Sequence, residues 1–375
     1  MRIMFLASAA SVHSQKWVNF FVEQGHEVTW LSLHAANCEI LPTINFYQFP
    51  ISNNPFNLFL AAIKALNVAR FCKPEIIHVH SLGTYGFVSL LLTKFCLVLT
   101  PWGSDVLLNG KNLLKRTMMK FLIKQSKLIT CDAAHMMREV SAISDFQCNV
   151  HRINFGVDIE RYRKLEIVRI DSLPSEVKRH VNREGFKVIS TRNLYDIYDV
   201  QCLVAAFSTL KKKCTDASLF IAGTGPALPK LKEQVSKAGL GNEVVFLGSI
   251  PQFELNNVLN VMDVYVSTSK SDAGLASSTA EAMACELPVV ITDVHDNAEW
   301  IDDGVSGFLF KPGDPDALAG ILLEVSEVAR VKRKEIGIKA RQHIARNNNL
   351  IFEMRKMEKL LLNLVDTELN SRKPN

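Results

Sequence analysis

The residues from Asp263 to Phe310, DVYVSTSKSDAGLASSTAEAMACELPVVITDVHDNAEWIDDGVSGFLF, carry the densest chemistry in the chain. A short apolar strand, Val264–Val266, runs into a turn rich in serine, threonine and glycine. A helix start at Thr279–Met283 follows, carrying Glu281, and then a second apolar strand, Pro288–Ile291. Backbone N–H groups at a helix N-terminus lack intrahelical partners, so such a turn suits an anionic phosphate. A carboxylate in that setting needs a partner that is not an anion, and a sugar hydroxyl serves. Together they point to a nucleotide sugar. Gly223 and Gly225 form a GxG after another strand, but position 228 is leucine, so a dinucleotide fingerprint and a dehydrogenase are poor readings. In the first loop, His13 and Lys16 could meet a phosphate or an acceptor hydroxyl; His13 reads equally well as an exposed loop histidine. His80 ends an apolar strand and could face a cleft, whereas His78 reads as core.

The elements that must position these residues alternate along the whole chain. Strands are expected at Ile3–Leu6, Glu27–Leu33, Ile76–His80, Leu97–Thr100 and Leu128–Cys131, with helices at Gln15–Gln24, Asn57–Phe71, Gly86–Thr93 and Lys111–Ser126. A second run has strands at Lys187–Thr191, Ser218–Ala222, Val244–Leu247, Val264–Val266 and Val289–Ile291. Its helices are Gln201–Lys212, Ala227–Ala238, Glu254–Met262, Thr279–Ala284, Ala317–Val328 and Arg333–Arg346. Short apolar strands each followed by a helix predict parallel, doubly wound sheets, whose ligands sit at the carboxyl ends of the strands. Residues 158–185 are dense in charge without a convincing strand, and read as a linker. The expected domains are therefore 1–157 and 186–346, with 347–375 a C-terminal helix and tail packing back toward the first domain.

With 375 residues and 48% apolar content, two domains are expected. No run of 18 uninterrupted apolar residues occurs, so no transmembrane helix is expected. MRIMFLASAA has the outline of a signal peptide but reads better as a first buried strand. Eight scattered cysteines without a CxxC pair predict free thiols in a reducing cytoplasm and no metal site. Residues 1–150 hold 13 Lys and Arg against 8 Asp and Glu, a difference of +5 that equals the net charge of the chain. The excess gathers at Lys111, Lys115, Arg116, Lys120, Lys124 and Lys127, interleaved with leucine, methionine and phenylalanine. The Lys111–Lys127 helix reads either as a docking face for an anionic membrane surface or as a solvated face packed on its core. Nothing points to nucleic acid.

Several short stretches resemble, in order and spacing, glycosyltransferase family 4, retaining enzymes of the GT-B fold, in particular the bacterial cell-surface polysaccharide type. They are GHEV (Gly25–Val28), NFGVDIERY (Asn154–Tyr162), IAGTGP (Ile221–Pro226), VVFLGSIP (Val244–Pro251), AEAMACELPVV (Ala280–Val290) and NAEWIDDGVSGFLF (Asn297–Phe310). The resemblance covers nearly the whole chain. It implies an α/β GT-B architecture, two Rossmann-like doubly wound domains facing a central cleft, with the acceptor on the first and the nucleotide sugar on the second. Arg192 stands where the family's phosphate-binding arginine does, and a bidentate guanidinium suits phosphate. Glu281 matches the glutamate that holds the ribose hydroxyls. Gly223 and Gly225, Ser249 and Ile250 of LGSIP, and the amides of Gly274 and Leu275 are implied to border the nucleotide.

Three positions depart from the family pattern. Tyr198-Asp199 replaces Lys-Gly, leaving a hydroxyl donor without charge. Ala273 replaces the first glutamate of the pair; the adjacent Asp272 could reach the donor sugar or act as a turn residue. Trp102 replaces a histidine that touches the donor sugar and could stack on an apolar sugar face, with Asp105 retained beside it. The expected activity is retaining transfer of a sugar from a nucleoside diphosphate donor, uridine-linked, to a glycan or polyprenyl-linked acceptor. Catalytic roles fall to Asp105, Asp272 and Arg192, and substrate contacts to His13, Lys16, Trp102 and Tyr198. No metal or further cofactor is expected. The enzyme would be cytoplasmic, on the inner face of the membrane. A nucleotide-binding scaffold that has lost turnover, or a sugar epimerase of the same fold, are the rival readings.

Overall fold

The computed structural model describes residues 1–49, 55–107, 112–144, 146–181, 184–272 and 274–371. They form two compact units, residues 1–155 with 351–371, and residues 156–350. The first unit runs β1 (Arg2–Leu6), α1 (Val12–Glu23), β2 (Glu27–Ser32), β3 (Asn45–Gln48), α2 (Pro55–Cys72), β4 (Ile76–His80), α3 (Thr84–Ser89), β5 (Leu97–Thr100), α4 (Ser104–Leu107), α5 (Leu113–Gln125), β6 (Leu128–Cys131), α6 (Ala134–Ser144) and β7 (Val150–Arg152). The second runs α7 (Ser175–Val181), β8 (Lys187–Ser190), α8 (Val200–Lys211), β9 (Ser218–Ala222), α9 (Leu228–Lys237), β10 (Val244–Gly248), α10 (Gln252–Asn260), β11 (Val264–Ser267), α11 (Ser277–Ala284), β12 (Val289–Thr292), β13 (Phe308–Phe310), α12 (Pro315–Glu327) and α13 (Arg330–Asn347). α14 (Leu350–Ser371) closes the chain.

Both sheets are parallel throughout, in the orders β3-β2-β1-β4-β5-β6-β7 and β10-β9-β8-β11-β12-β13. Their central strands are buried along their length, as in β4, β5, β6, β11 and β12, which explains their continuous apolar runs. Strand order reverses between β1 and β4 in one sheet and between β8 and β11 in the other. Ligands of such sheets bind at these switch points.

Several elements depart from expectation. The edge strands β3 and β7 and the helix α6 were absent from it; β3 and β7 are only half-buried and have no readable alternation. Residues 158–185 are not a linker. They contain α7, and Tyr162, Leu173 and Val177 enter the core formed with Ile189, Phe220 and Tyr265. Asn260 holds this segment by accepting from Leu165 N at 2.9 Å and donating to Arg163 O at 2.9 Å. Accordingly the chain passes into the second unit at Gly156, earlier than the expected boundary at 157, and leaves it at Leu350, not at 346. Gly156 must be glycine: its φ is +75° and a Cβ there would lie 2.4 Å from Leu350 Cα. α14 belongs to the first unit from Ile351 onward, buries Met354, Met357, Leu361 and Val365, and pairs Glu358 with His26 at 2.6 Å and Glu368 with Lys127 at 3.0 Å. The basic helix begins at Leu113, and Lys111 lies outside the described residues. No helix among them is long and apolar enough to cross a membrane, and all eight cysteines are free.

Candidate active site

At the β8/β11 switch point of the second unit, Arg192 leaves β8 and its Nη2 donates to Asp272 Oδ1 at 2.5 Å, both side chains being about nine-tenths buried. Nη1 lies 3.5 Å from Ser278 Oγ, in the first turn of α11, and the guanidinium carbon sits 4.1 Å from the centroid of the Tyr198 ring. Asp272 also accepts from Ser269 Oγ at 3.2 Å, and Tyr265 Oη donates to Ser278 Oγ at 2.8 Å. Tyr198 therefore engages Arg192 through its ring face, an arrangement in which the cation meets the negative face of the π system. The turn beneath it is built for this. Asp199 takes φ +45° and ψ +41°, the left-handed conformation that the family's glycine would adopt freely, and Thr268 Oγ1 donates to the carbonyls of Tyr198 and Asp199 at 2.9 Å each. Lys270 pairs with Asp199 at 3.0 Å.

The anion-binding features lie side by side here. α11 starts next to Arg192 without a side-chain cap and without an acid in its first turn; of its leading N–H groups, that of Thr279 donates to Ala276 O at 2.9 Å, and ahead of it those of Ser277 and Ser278 point out of the helix start. Arg192 Nε, Ser190 Oγ, Thr191 Oγ1 and Ser267 Oγ, all at the carboxyl ends of β8 and β11, are buried without a hydrogen-bond partner. Buried polar groups are almost always paired, so these atoms are candidate contacts for a polar ligand. Gly274 and Leu275 lead into α11. Ala273, standing where the family has its first glutamate, lies outside the described residues.

The other expected positions divide. Gly223 and Gly225 serve the chain's own backbone: a Cβ on either would meet Arg192 O at 2.4 Å or Leu194 O at 2.3 Å, so these glycines let the β9 loop cradle the loop that carries Arg192. Glu281 is buried within α11, where its charge pushes up the pKa of the Tyr162 hydroxyl and the Cys285 thiol, after burial itself, the larger cause for both. Ser249 and Ile250 follow the edge strand β10, two strands from β8 and so about 10 Å across the sheet. A cavity of about 810 Å³ in this unit lies at the opposite, amino ends of β8, β11 and β12, and is lined by none of these residues.

In the first unit, the β1/β4 switch point gathers rings. His13 stacks on Phe155 at 4.7 Å and meets the Trp102 ring edge-on at 5.7 Å; His80 lies 5.7 Å from Trp102 and 5.1 Å from Trp17. Burial first, then the charge of Lys16, lowers the His13 pKa to about 4, so at neutral pH it offers no cation to a phosphate. Lys16 is partly exposed beside it. His78 is core, bonded to Thr100 Oγ1 at 2.7 Å. Asp105 binds the loops after β4 and β5 together: its oxygens accept from Leu82 N at 2.5 Å, Trp102 N at 2.9 Å and Val106 N at 3.1 Å. Burial raises its pKa, and those bonds offset only part of the rise. A cavity of about 210 Å³ opens beside it, lined by Ser8, His34, His80, Ser81, Tyr85 and Trp102, among others. Tyr85, Ser190, Ser267 and Ser278 were not singled out from the sequence. The available signal was a polar residue ending an apolar strand next to a switch point, which Ser190 and Ser267 supply.

Comparison with known proteins agrees with this architecture. The family model for glycosyl transferases group 1 matches residues 175–343, and that for glycosyl transferase 4-like proteins matches residues 2–133. The N-acetyl-alpha-D-glucosaminyl L-malate synthase of Bacillus anthracis is 24% identical over 86% of this chain and 85% of its own length. The amylovoran biosynthesis glycosyltransferase AmsK of Erwinia amylovora is 23% identical over 92% of this chain and 97% of its own. Sucrose-phosphate synthase from Thermosynechococcus elongatus superposes with a TM-score of 0.84 at 15% identity, over 97% of this chain and 99% of that one. Anabaena HepE, solved with UDP and glucose, superposes with a TM-score of 0.78 at 16% identity, over 96% and 99%. The two family models fall one on each unit, and the chain belongs to the group 1, family 4 glycosyltransferases, enzymes of the GT-B fold with two Rossmann-like domains.

Proposed function

We propose that this glycosyltransferase is a retaining enzyme that takes a uridine diphosphate sugar on the second unit and passes the sugar to a glycan or polyprenyl-linked acceptor held by the first, in cell-surface polysaccharide synthesis. The observation that carries the reading is Arg192, oriented by Asp272 and Tyr198 beside the uncapped start of α11. Charge builds on the leaving diphosphate as the glycosidic bond breaks. A fixed guanidinium and fixed backbone N–H groups stabilise that charge without having to reorganise. Asp105 braces the acceptor-side loops, and Glu281 is the candidate for the ribose hydroxyls. The turn at Tyr198-Asp199 is hydrogen-bonded and specific, which argues for a working site with altered donor contacts and against a silent scaffold.

The test is calorimetric titration of the protein with UDP and a panel of UDP-sugars, followed by turnover with membranes as acceptor source. Wild type binds UDP, Arg192→Ala and Glu281→Ala bind it at least about tenfold more weakly, each having lost charge-assisted contacts. No UDP binding by wild type, or unchanged binding by both variants, sinks the assignment. α5 also supports an anionic membrane as partner: Met119, Leu122 and Ile123 face its core, while Leu113 and Leu114 are 82% and 81% exposed among its lysines. Flotation with phosphatidylglycerol vesicles checks this. If Leu113→Glu/Leu114→Glu floats as well as wild type, α5 is not the docking face.

A further inference from the structure

The 210 Å³ cavity of the first unit has a chemistry of its own. We infer that it receives one uncharged pyranose ring of the acceptor and rejects acceptors that present a carboxylate or phosphate there. This rests on the transferase reading above, names the acceptor class, and sets aside the donor-sugar contact that the resemblance implied for position 102. His80 lines the cavity, is 2% exposed, and neither ring nitrogen has a partner. Burial lowers its pKa to about 3, so the ring is neutral at working pH. A neutral imidazole offers one donor and one acceptor. A hydroxyl satisfies both kinds of partner; a carboxylate can only accept. Trp102 also lines the cavity, and its buried indole Nε1–H has no acceptor. Its ring can cover the apolar face of a sugar while that N–H meets a hydroxyl.

Charge completes the selection. Among the described residues, no lysine, arginine, aspartate or glutamate lines the cavity. Behind the lining residues Trp102 and Ser81 lies the buried Asp105, which accepts from the Trp102 amide and the Ser81 hydroxyl. An anion entering would meet no lysine or arginine on the described lining and would face the Asp105 carboxylate behind Trp102.

The experiment uses the full chain and saturation-transfer NMR, with competition for affinity. The probes are matched pairs: methyl glucoside against methyl glucuronide, methyl galactoside against methyl galacturonide, together with methyl mannoside, methyl N-acetylglucosaminide and L-malate. At least one neutral glycoside binds, its uronate partner binds at least about 100-fold more weakly for want of a counter-ion, and malate does not compete. Trp102→Phe, which keeps the ring and loses the N–H, weakens the neutral glycoside about tenfold. UDP binding measured on the same variant reports that the chain is folded. Uronates or malate binding as well as the neutral sugars, an unaffected Trp102→Phe, or no neutral glycoside binding to a chain that binds UDP would each overturn the inference. Glycoside binding is read without UDP, so a chain that takes the glycosides and not UDP supports this inference while refuting the donor assignment.

Discussion

Replacing Asp272 by asparagine should make the enzyme bind UDP more tightly while making the free protein less stable. In the absence of donor, Asp272 is the anion on Arg192, at 2.5 Å in a site from which water is nearly excluded. An incoming diphosphate wants the same guanidinium. If Asp272 stays, a carboxylate and a phosphate charge about 5 Å apart repel by about 3 kcal/mol at an effective dielectric constant of about 20. If Asp272 turns away, a charge-assisted hydrogen bond of about 1.5–3 kcal/mol is lost. Either route handicaps the bound state by about 1.5–3 kcal/mol, which is about 10- to 150-fold in Kd. Asparagine has nearly the same shape and can still accept from Arg192 and Ser269, but it does not repel phosphate. The cost appears in the free state, where Arg192 loses its counter-charge and stability falls by up to about 3–5 kcal/mol. Calorimetric titration with UDP at fixed ionic strength, and thermal unfolding with and without UDP, measure both sides. A folded Asp272→Asn protein that binds UDP no better than wild type, or worse, refutes the reasoning and makes Asp272 a ligand of the donor instead of its competitor.

At Tyr198, alanine should weaken UDP binding about fivefold or more by removing the ring that holds the guanidinium, and phenylalanine should not; equal losses would mean that the hydroxyl is what matters. Gly337→Ala, in the middle of α13, gains about 1 kcal/mol of helix propensity, yet its Cβ would meet Glu286 O at 1.9 Å, so a lowered Tm is expected. The histidines His13 and His80 have folded pKa values lowered to about 4 and about 3 against 6.5 for the unfolded chain. Below pH 6.5 the unfolded state therefore takes up protons that the folded state refuses. Stability is full above that pH and is lost as the pH falls toward 4, by up to about 3 kcal/mol for His13. A His13→Phe variant should flatten the profile of Tm against pH in that window.

Much of the fold was legible because its central strands are buried on both faces and read as near-continuous apolar runs, such as IIHVH for β4 and VYV for β11. The edge strands β3 and β7 escaped because pairing with one neighbour stabilises them without leaving a hydrophobic pattern: β3, NFYQ, has no fully buried residue, and neither has β7. Residues 158–185 looked like a linker because Tyr162, Leu173 and Val177 are irregularly spaced among charges, though all three are core. At the site, the residue types of Arg192 and Glu281 and the serine-rich approach to α11 were readable locally. The pairing of Arg192 with Asp272, 80 residues away, was not readable: Asp272 read as a donor-sugar contact or a turn residue.

The sequence by itself determined two parallel sheets, the polar turns at their switch points, and the residue types available there. The tertiary structure decided which of those groups are charged, paired or vacant. Arg192 is neutralised by Asp272 and stacked on Tyr198, Asp105 is consumed by three backbone amides, and His80 is neutral with both nitrogens open. The physical reason is that ionisation and hydrogen-bond saturation depend on desolvation and on partners brought close through space, quantities that a linear order of residues does not contain.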